Sequence, residues 1–524
     1  MATVSPVVAR AQATPRVPTT DGIYADLDRL AALGLIDHMV AGQRPYSERE
    51  IARLLNEASA NLDREPRARD WAAGIIARDQ DRLALPRVRA LEQADAAAGW
   101  LDSPFRAIPG DGNGSVDASI NPLIAYDQGR PHAGHGGSFS VETRHSALLG
   151  SHVAAWINPR VTAFSGSAGG PGGTTAAQLR LQTGGADFFF GNLSLNVGRD
   201  YEIFAQAPTG GIELSNDAPA FDAVQLTNDT PARLPGFLSH VGLMKATGFV
   251  ADLGAHTAHP HSLLIAYKVN ALIVRHFEFG FQVEDEMGGQ GAPPASLIDR
   301  ILDLVPPIDA LRTGSDFLFS NKMAGIDFHL RLPDLAGFEL YADGAVDDMD
   351  ARRFKSSFFN DGGFVTGFAF SCLVDCGRTT IRAEYHQTGI RYYTHTQFPS
   401  GFASDHTLWG DPLGPRGLGS YMMIDHDAGR VGTVALDAAY EIRSGNRYGS
   451  ASADPRDDNF HFTQISHAPG ETRRRFMATW TGLPGGHHIG ESAALGYERV
   501  TDFAFTSGVN RGNWLGRVGV EWRP

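Results

Sequence analysis

Along most of this chain, apolar and polar positions alternate with a period of two. The clearest case is RHFEFGFQVE, residues 275–284. Phe277, Phe279, Phe281 and Val283 share one face, and His276, Glu278, Gln282 and Glu284 share the other. Near the C-terminus Trp514, Gly516, Val518, Val520 and Trp522 alternate with Arg517, Glu521 and Arg523. AGIDFHLRL (324–332) and FELYA (338–342) predict a hairpin around Pro333-Asp334, and RAEYH (382–386) and VALDAAYEI (434–442) add strands.

Residues 20–95 carry a different period. Ile23, Leu27, Leu30 and Ala31 recur at helical spacing behind Thr20 or Asp21 as a cap. Ser47-Glu-Arg-Glu50 forms a capping box ahead of Ile51, Leu54, Leu55 and Ala58. A third helix is predicted around Trp71, Ile75 and Ile76, and Pro86 restarts the pattern into Val88 and Leu91. Helices this short need tertiary packing to persist, so they predict a small bundle rather than an enzyme core.

Alternation alone fits a soluble sandwich, with an apolar core and a wet polar face, or a membrane barrel, with an apolar face on lipid and a polar lumen. Two features favour the barrel. The polar faces carry ionisable residues on strand after strand. Short connections (Pro333–Ala336, Val374–Cys376) alternate with long Gly/Pro/Asp-rich ones (Met287–Ser315, Asp343–Gly363).

Composition adds limits. The mean hydropathy of −0.19 is that of a soluble protein, yet a barrel strand averages to the same. No run of about 18 apolar residues occurs, so a membrane could be crossed only by a closed barrel. The net charge of −14 and the lack of a basic patch exclude nucleic acid as a partner. Cys372 and Cys376 flank a turn; a small disulfide and two reduced thiols are equally compatible with that spacing. Ala11-Gln12-Ala13 reads as a small-x-small cleavage site, so residues 1–19 are expected to be a signal-peptide remnant.

The most distinctive stretch is VGRDYEIFAQAPTGGIELSNDAPAFDAVQLTNDTPARLP, residues 197–235. Together with DGIYADLDRLAALGLI, QRPYSEREIARLL, FEFGFQVEDEMGGQG, NKMAGIDFHLRLPDLAGFELYADGAVDD, RAEYHQTG and YYTHTQFPSGFASDHTLWGDPLGPRGLG, it resembles the capsule assembly Wzi family, from residue 20 to about 450. Phe204-Ala205 stands where the family has a Trp-Gly step, and the chain ends Trp522-Arg523-Pro524 rather than on an aromatic.

The resemblance implies a mainly β protein: a transmembrane antiparallel β-barrel of about 18 strands (111–524) with a small periplasmic α-helical bundle (20–110). Long outer loops would close most of the pore. It further implies a monomer in the Gram-negative outer membrane, in contact with lipid and inserted by the barrel assembly machinery. The expected role is that of a lectin which binds capsular or surface polysaccharide, without enzymatic activity and without a cofactor.

Catalytic constellations are missing: there is no G-x-S-x-G, H-E-x-x-H or P-loop. His256, His259 and His261, and the His487-His488 pair, lack a companion acidic cluster, so no metal is expected. Glu284 with Glu286, or Asp347 with Asp348, are the candidate acids of a glycosidase, a minor alternative beside a solute or polysaccharide channel. Polysaccharide binding needs aromatic faces and Arg, Asn or His donors. Such residues cluster at Arg391, Tyr392, Tyr393, His395, Phe398, His406, Trp409 and Arg416, with a second set at Arg199, Tyr201, Asn216 and Asp217.

Overall fold

The computed structural model describes residues 13–84, 105–107, 136–164, 177–304, 319–347, 360–395, 397–404, 407–450, 462–482 and 489–522. Among these, one antiparallel sheet of 20 segments forms the wall. Phe105–Ala107 pairs with both Gly136–Glu142 and Arg511–Trp522, so the hydrogen-bonded ladder returns on itself and the sheet is a barrel. His145–Leu149 continues Gly136–Glu142 along Val153–Phe164, and Ala232–Arg233 continues Phe221–Asn228 along Leu243–Asp252. Merging each with the strand it continues leaves eighteen staves around the ring, the number the resemblance implied.

The period-two pattern assigns the faces. Leu179, Val224, Phe279, Ile326, Leu436, Phe476, Leu495, Trp514 and Val518 are exposed on the outside. Lys268, Asn270, Glu278, Gln282 and Glu284 are buried inside. A soluble sandwich would bury the first set and wet the second, whereas an apolar exterior around a polar interior is the arrangement of a wall facing lipid. No described helix is long and apolar enough to cross a membrane.

Short turns gather at one end and long loops at the other. Three helices, α1 (Ile23–Ala32), α2 (Glu48–Ala60) and α3 (Arg69–Ala84), pack against the short-turn end. Their apolar stripes form one buried cluster that includes Leu27, Leu30, Ile51, Leu54, Trp71 and Ile75. Ser47 Oγ accepts the Glu50 N–H at 3.1 Å as the capping pattern predicts, while the Glu50 carboxylate pairs with Arg53. Asp21, not Thr20, satisfies the first turn of α1 by accepting the Ile23 N–H at 2.9 Å.

Trp71 anchors the bundle to the wall. Its indole N–H donates to Asp427 at 2.7 Å, and its ring lies so close over Gly377 that no side chain would fit there. Cys372 and Cys376 form a disulfide beside this contact, which decides the alternative left open above, and Cys372 joins the helical cluster. A fourth helix, α4 (Leu297–Asp303), lies against the outer surface near the long-loop end. There Asp303 accepts from Lys322 and Ser320 at 2.5 Å.

Of the expected leader remnant, residues 13–19 are described, and they pack against the barrel. Ala13 is buried and donates its N–H to the Ser151 carbonyl at 2.9 Å. Arg16 lies inside the barrel beside Asp187, Asp200 and Glu202. This stretch is therefore part of the packed lumen. The predicted restart after Pro86 and the His487-His488 pair lie outside the described residues.

Asp79 on α3 provides a pH test of the bundle. Burial, and secondly the neighbouring Asp26 charge, push its carboxyl up to about 7 from 3.8, against the pull of Arg78. The folded chain therefore binds this proton more readily than the unfolded chain. The stability it contributes is complete below about pH 4 and is lost as the pH rises through about 7. Asp79→Asn is expected to remove that dependence and to stabilise the protein at pH 8 by about 4 kcal/mol. Denaturant unfolding from pH 4 to 8 checks it, and an unchanged pH profile would refute it.

Candidate functional site: a barrel closed by its own loops

The loop spanning residues 201–220 folds back into the lumen instead of projecting outward. At its deepest point it meets the segment rising from the helical end. Arg44 and Ile203 exchange both backbone hydrogen bonds, at 3.1 and 2.9 Å. Next to this, the Gln206 amide donates to Glu278 at 2.9 Å and to Asp327 at 2.6 Å. Glu278 also accepts the Ala41 and Gly42 N–H groups, at 2.8 and 3.0 Å. One wall carboxylate thus joins material entering from both ends of the barrel.

Above this polar layer the plug is apolar. Phe204, Ile212 and Leu214 of the loop pack with the inward-facing Phe249, Leu264, Met323 and Val365 of the wall. The second long loop, residues 389–416, covers them. Tyr392 and Tyr393 both donate their hydroxyls to the Ile212 carbonyl. The Ser215 N–H donates to the Trp409 carbonyl at 2.8 Å. The Trp409 ring stands edge-on to Phe221 and Phe402, with centroids 5.8 and 5.5 Å apart.

His386 fastens both loops to the wall. Its Nδ1 lies 2.5 Å from Asp411 on the 389–416 loop, and its Nε2 lies 3.3 Å from Glu384 on its own strand and 3.1 Å from Thr209 on the 201–220 loop. Tyr341 donates to Glu384 at 2.6 Å, and Thr209 bonds the same carboxylate. Every one of these groups is buried. The hydroxyl, imidazole and carboxylate follow a nucleophile–base–orienter order, yet with Thr209 only 7% exposed no substrate could reach it.

The predicted sugar-contacting residues divide three ways. Tyr392, Tyr393 and Trp409 are at most 4% exposed and form plug core rather than sugar platforms, and Phe398 is buried against His259 and His395. Tyr201 is likewise buried and donates to Gln182 at 2.9 Å, and Asp217 is buried as well. Arg199 corrects differently. It lies on the outer face of the wall, where it pairs with Asp222 opposite at 2.5 Å. Strand parity carried that signal, because Val197 two residues earlier is an outward position.

Arg391, His395, Arg416 and Asn216 remain partly accessible at the long-loop end. Arg391 is held by Asp361 through two contacts of 2.6 Å, and Arg416 donates to the Asn446 carbonyl at 2.8 Å. Asn216 donates to the Pro208 carbonyl at 2.9 Å. His406 lies outside the described residues. The structure also brings the 254–261 histidine loop to this surface. His259 stacks edge-on to Phe398 at 5.0 Å and bonds the Gln397 carbonyl at 2.7 Å, so it braces neighbouring loops. Glu284 and Glu286, the glycosidase candidates, are buried side chains of one strand pointing into the filled lumen. Asp347 is also buried, and Asp348 lies outside the described residues.

Comparison with known proteins agrees with this architecture. The solved structure of Wzi from Escherichia coli, described as an outer membrane protein involved in group 1 capsule assembly and a carbohydrate-binding β-barrel, matches over 96% of this chain and 98% of its own. The TM-score is 0.67 at 16% identity. OccAB1 of Acinetobacter baumannii matches over 83% of this chain and 97% of its own (TM-score 0.46, 10% identity), and OccK5 of Pseudomonas aeruginosa over 83% and 99% (TM-score 0.44, 10% identity). No curated protein sequence matches. The family model of the capsule assembly protein Wzi matches residues 111–514, most of the chain, and the protein belongs to that family.

Proposed function

We propose that this chain is an outer-membrane barrel that binds and anchors capsular or other surface polysaccharide, without enzymatic activity, and that the long-loop end faces outward. The observation that carries this reading is the lumen filled by the 201–220 loop and sealed by the 389–416 loop. A plugged barrel is poorly suited to transport, so the surface above the plug is the part left to meet a ligand. Sugar hydroxyls and uronic carboxylates suit the donors found there. Arg391, His395, Arg416 and Asn216 are the contact candidates. Tyr393 and Trp409 act beneath them, holding the loop in shape. The helical bundle then sits on the periplasmic side, at the short-turn end.

The test is retention of the host cell's purified surface polysaccharide by detergent-solubilised protein. The double variant Arg391→Ala, His395→Ala is expected to weaken binding about tenfold, or about 1.4 kcal/mol, with an unaltered heat-dependent gel shift. Failure of the unmodified protein to retain any polysaccharide would sink the reading.

A further inference from the structure

Inside the lumen, just below the tyrosine roof, two carboxyl groups face each other. Glu213 comes from the 201–220 loop and Glu284 from the wall strand Phe277–Met287, and their side chains are within hydrogen-bonding range of each other. Both residues are buried, and no donor reaches any of their four oxygens. The Glu213 carboxylate lies directly against Gly325, where an added side chain would come within 2.5 Å of it. Gly325 is the cross-strand partner of Gln282, which shares the inward face with Glu284. Gln282 is fully buried, and neither its Oε1 nor its Nε2 has a partner.

Leaving two carboxylates and a primary amide dry and unsatisfied costs several kcal/mol. The local charges do not relieve it. Lys268 acts on Glu213, but its ammonium is 2.9 Å from Asp327 and is also shared with Asp343. Lys268 also acts on Glu284, so four carboxyl groups share one ammonium.

We propose that Glu213, Glu284 and the Gln282 amide oxygen form a site for one hard divalent cation of the calcium or magnesium class, which ties the 201–220 loop to the barrel wall. The donors are all oxygen, with neither imidazole nor thiolate among them, which is the preference of calcium and magnesium rather than of zinc or copper. A cation between the two carboxylates removes their repulsion and supplies the partner that Gln282 lacks. Because Glu213 directly follows Ile212, whose carbonyl accepts both tyrosine hydroxyls, the cation would sit under the contact that joins the two long loops. This site does not depend on the ligand being a polysaccharide.

The experiment measures calcium and magnesium content of the full chain as purified in detergent, then titrates EDTA-treated protein with CaCl2 by calorimetry. About one equivalent per chain is expected, either retained on purification or taken up from CaCl2. Glu213→Gln should weaken uptake at least about tenfold and Gln282→Ala several-fold, while Asp63→Asn, a change on the exposed helical surface, leaves it intact. The gel shift on heating confirms that each variant is folded. If Glu213→Gln does not fold, Gln282→Ala, which removes no charge, decides. Absence of bound cation in both measurements overturns the proposal. So does unchanged uptake by a folded Glu213→Gln or Gln282→Ala variant. A cation-free parent that becomes more heat-resistant as Glu213→Gln would show instead that the two carboxyls share a proton.

Discussion

Replacing residues 202–219 with a turn of roughly four residues is expected to convert a silent barrel into a conducting one. Asp200 and Phe221 pair directly across the ladder, so a short hairpin turn can join them without disturbing the wall. The replacement removes Phe204, Gln206, Ile212 and Leu214 from the lumen, and with them the ceiling against which Tyr392 and Tyr393 bond. What remains inside is the 38–46 segment at the helical end and the stretch around Arg16. Planar-bilayer recordings should show little current from the parent and frequent open channels from the variant. Steady conduction by the parent would mean that the loops do not close the pore and would revive the channel alternative. A variant that stays silent would assign closure to the helical end alone.

The largest single-residue effect is expected at His386. A doubly protonated imidazole can donate one N–H to Asp411 and the other to Glu384. His386→Ala leaves two buried carboxylates beside a void, with Thr209 and Tyr341 as the remaining donors to Glu384. Breaking a buried ionic network by removing one partner costs about 3–5 kcal/mol. The midpoint of guanidinium unfolding should fall accordingly. Protease cleavage within residues 389–416 should rise before the barrel itself unfolds, because Asp411 loses its wall contact. A variant with unchanged unfolding and unchanged cleavage would show that His386 does not fasten the loop.

Much of the architecture was legible in local pattern. Phe277, Phe279 and Phe281 against Glu278 and Gln282 state which residues of the strand share its outer face and which its inner face. Ser47 with Glu50 marks the start of α2, and the turn at Pro333-Asp334 lies where the apolar alternation breaks. Even Arg199 could have been placed, since counting by twos from Leu193, Leu195 and Val197 puts it on the outer wall. The loop residues are different. Tyr393 and Trp409 have the composition of a sugar platform, and nothing adjacent to them in the chain says whether the ring faces solvent or a neighbour. Their burial follows from the 201–220 loop lying beneath them, about 180 residues earlier. Gln206 and Glu213 gave no local sign at all, because their neighbours lie on strands far away in the chain.

The sequence by itself thus determined the parity of each strand, the three short helices and the alternation of short and long connections, all of which depend on neighbours within one or two turns of chain. Only the tertiary structure decided what fills the barrel. A period of two specifies that Glu278, Gln282, Glu284 and His386 point inward, but an inward side chain can meet water, another chain segment or an ion. Which of these it meets depends on closing loops over long separations, and that closure is set by the summed packing of two loops and a helical segment inside one wall.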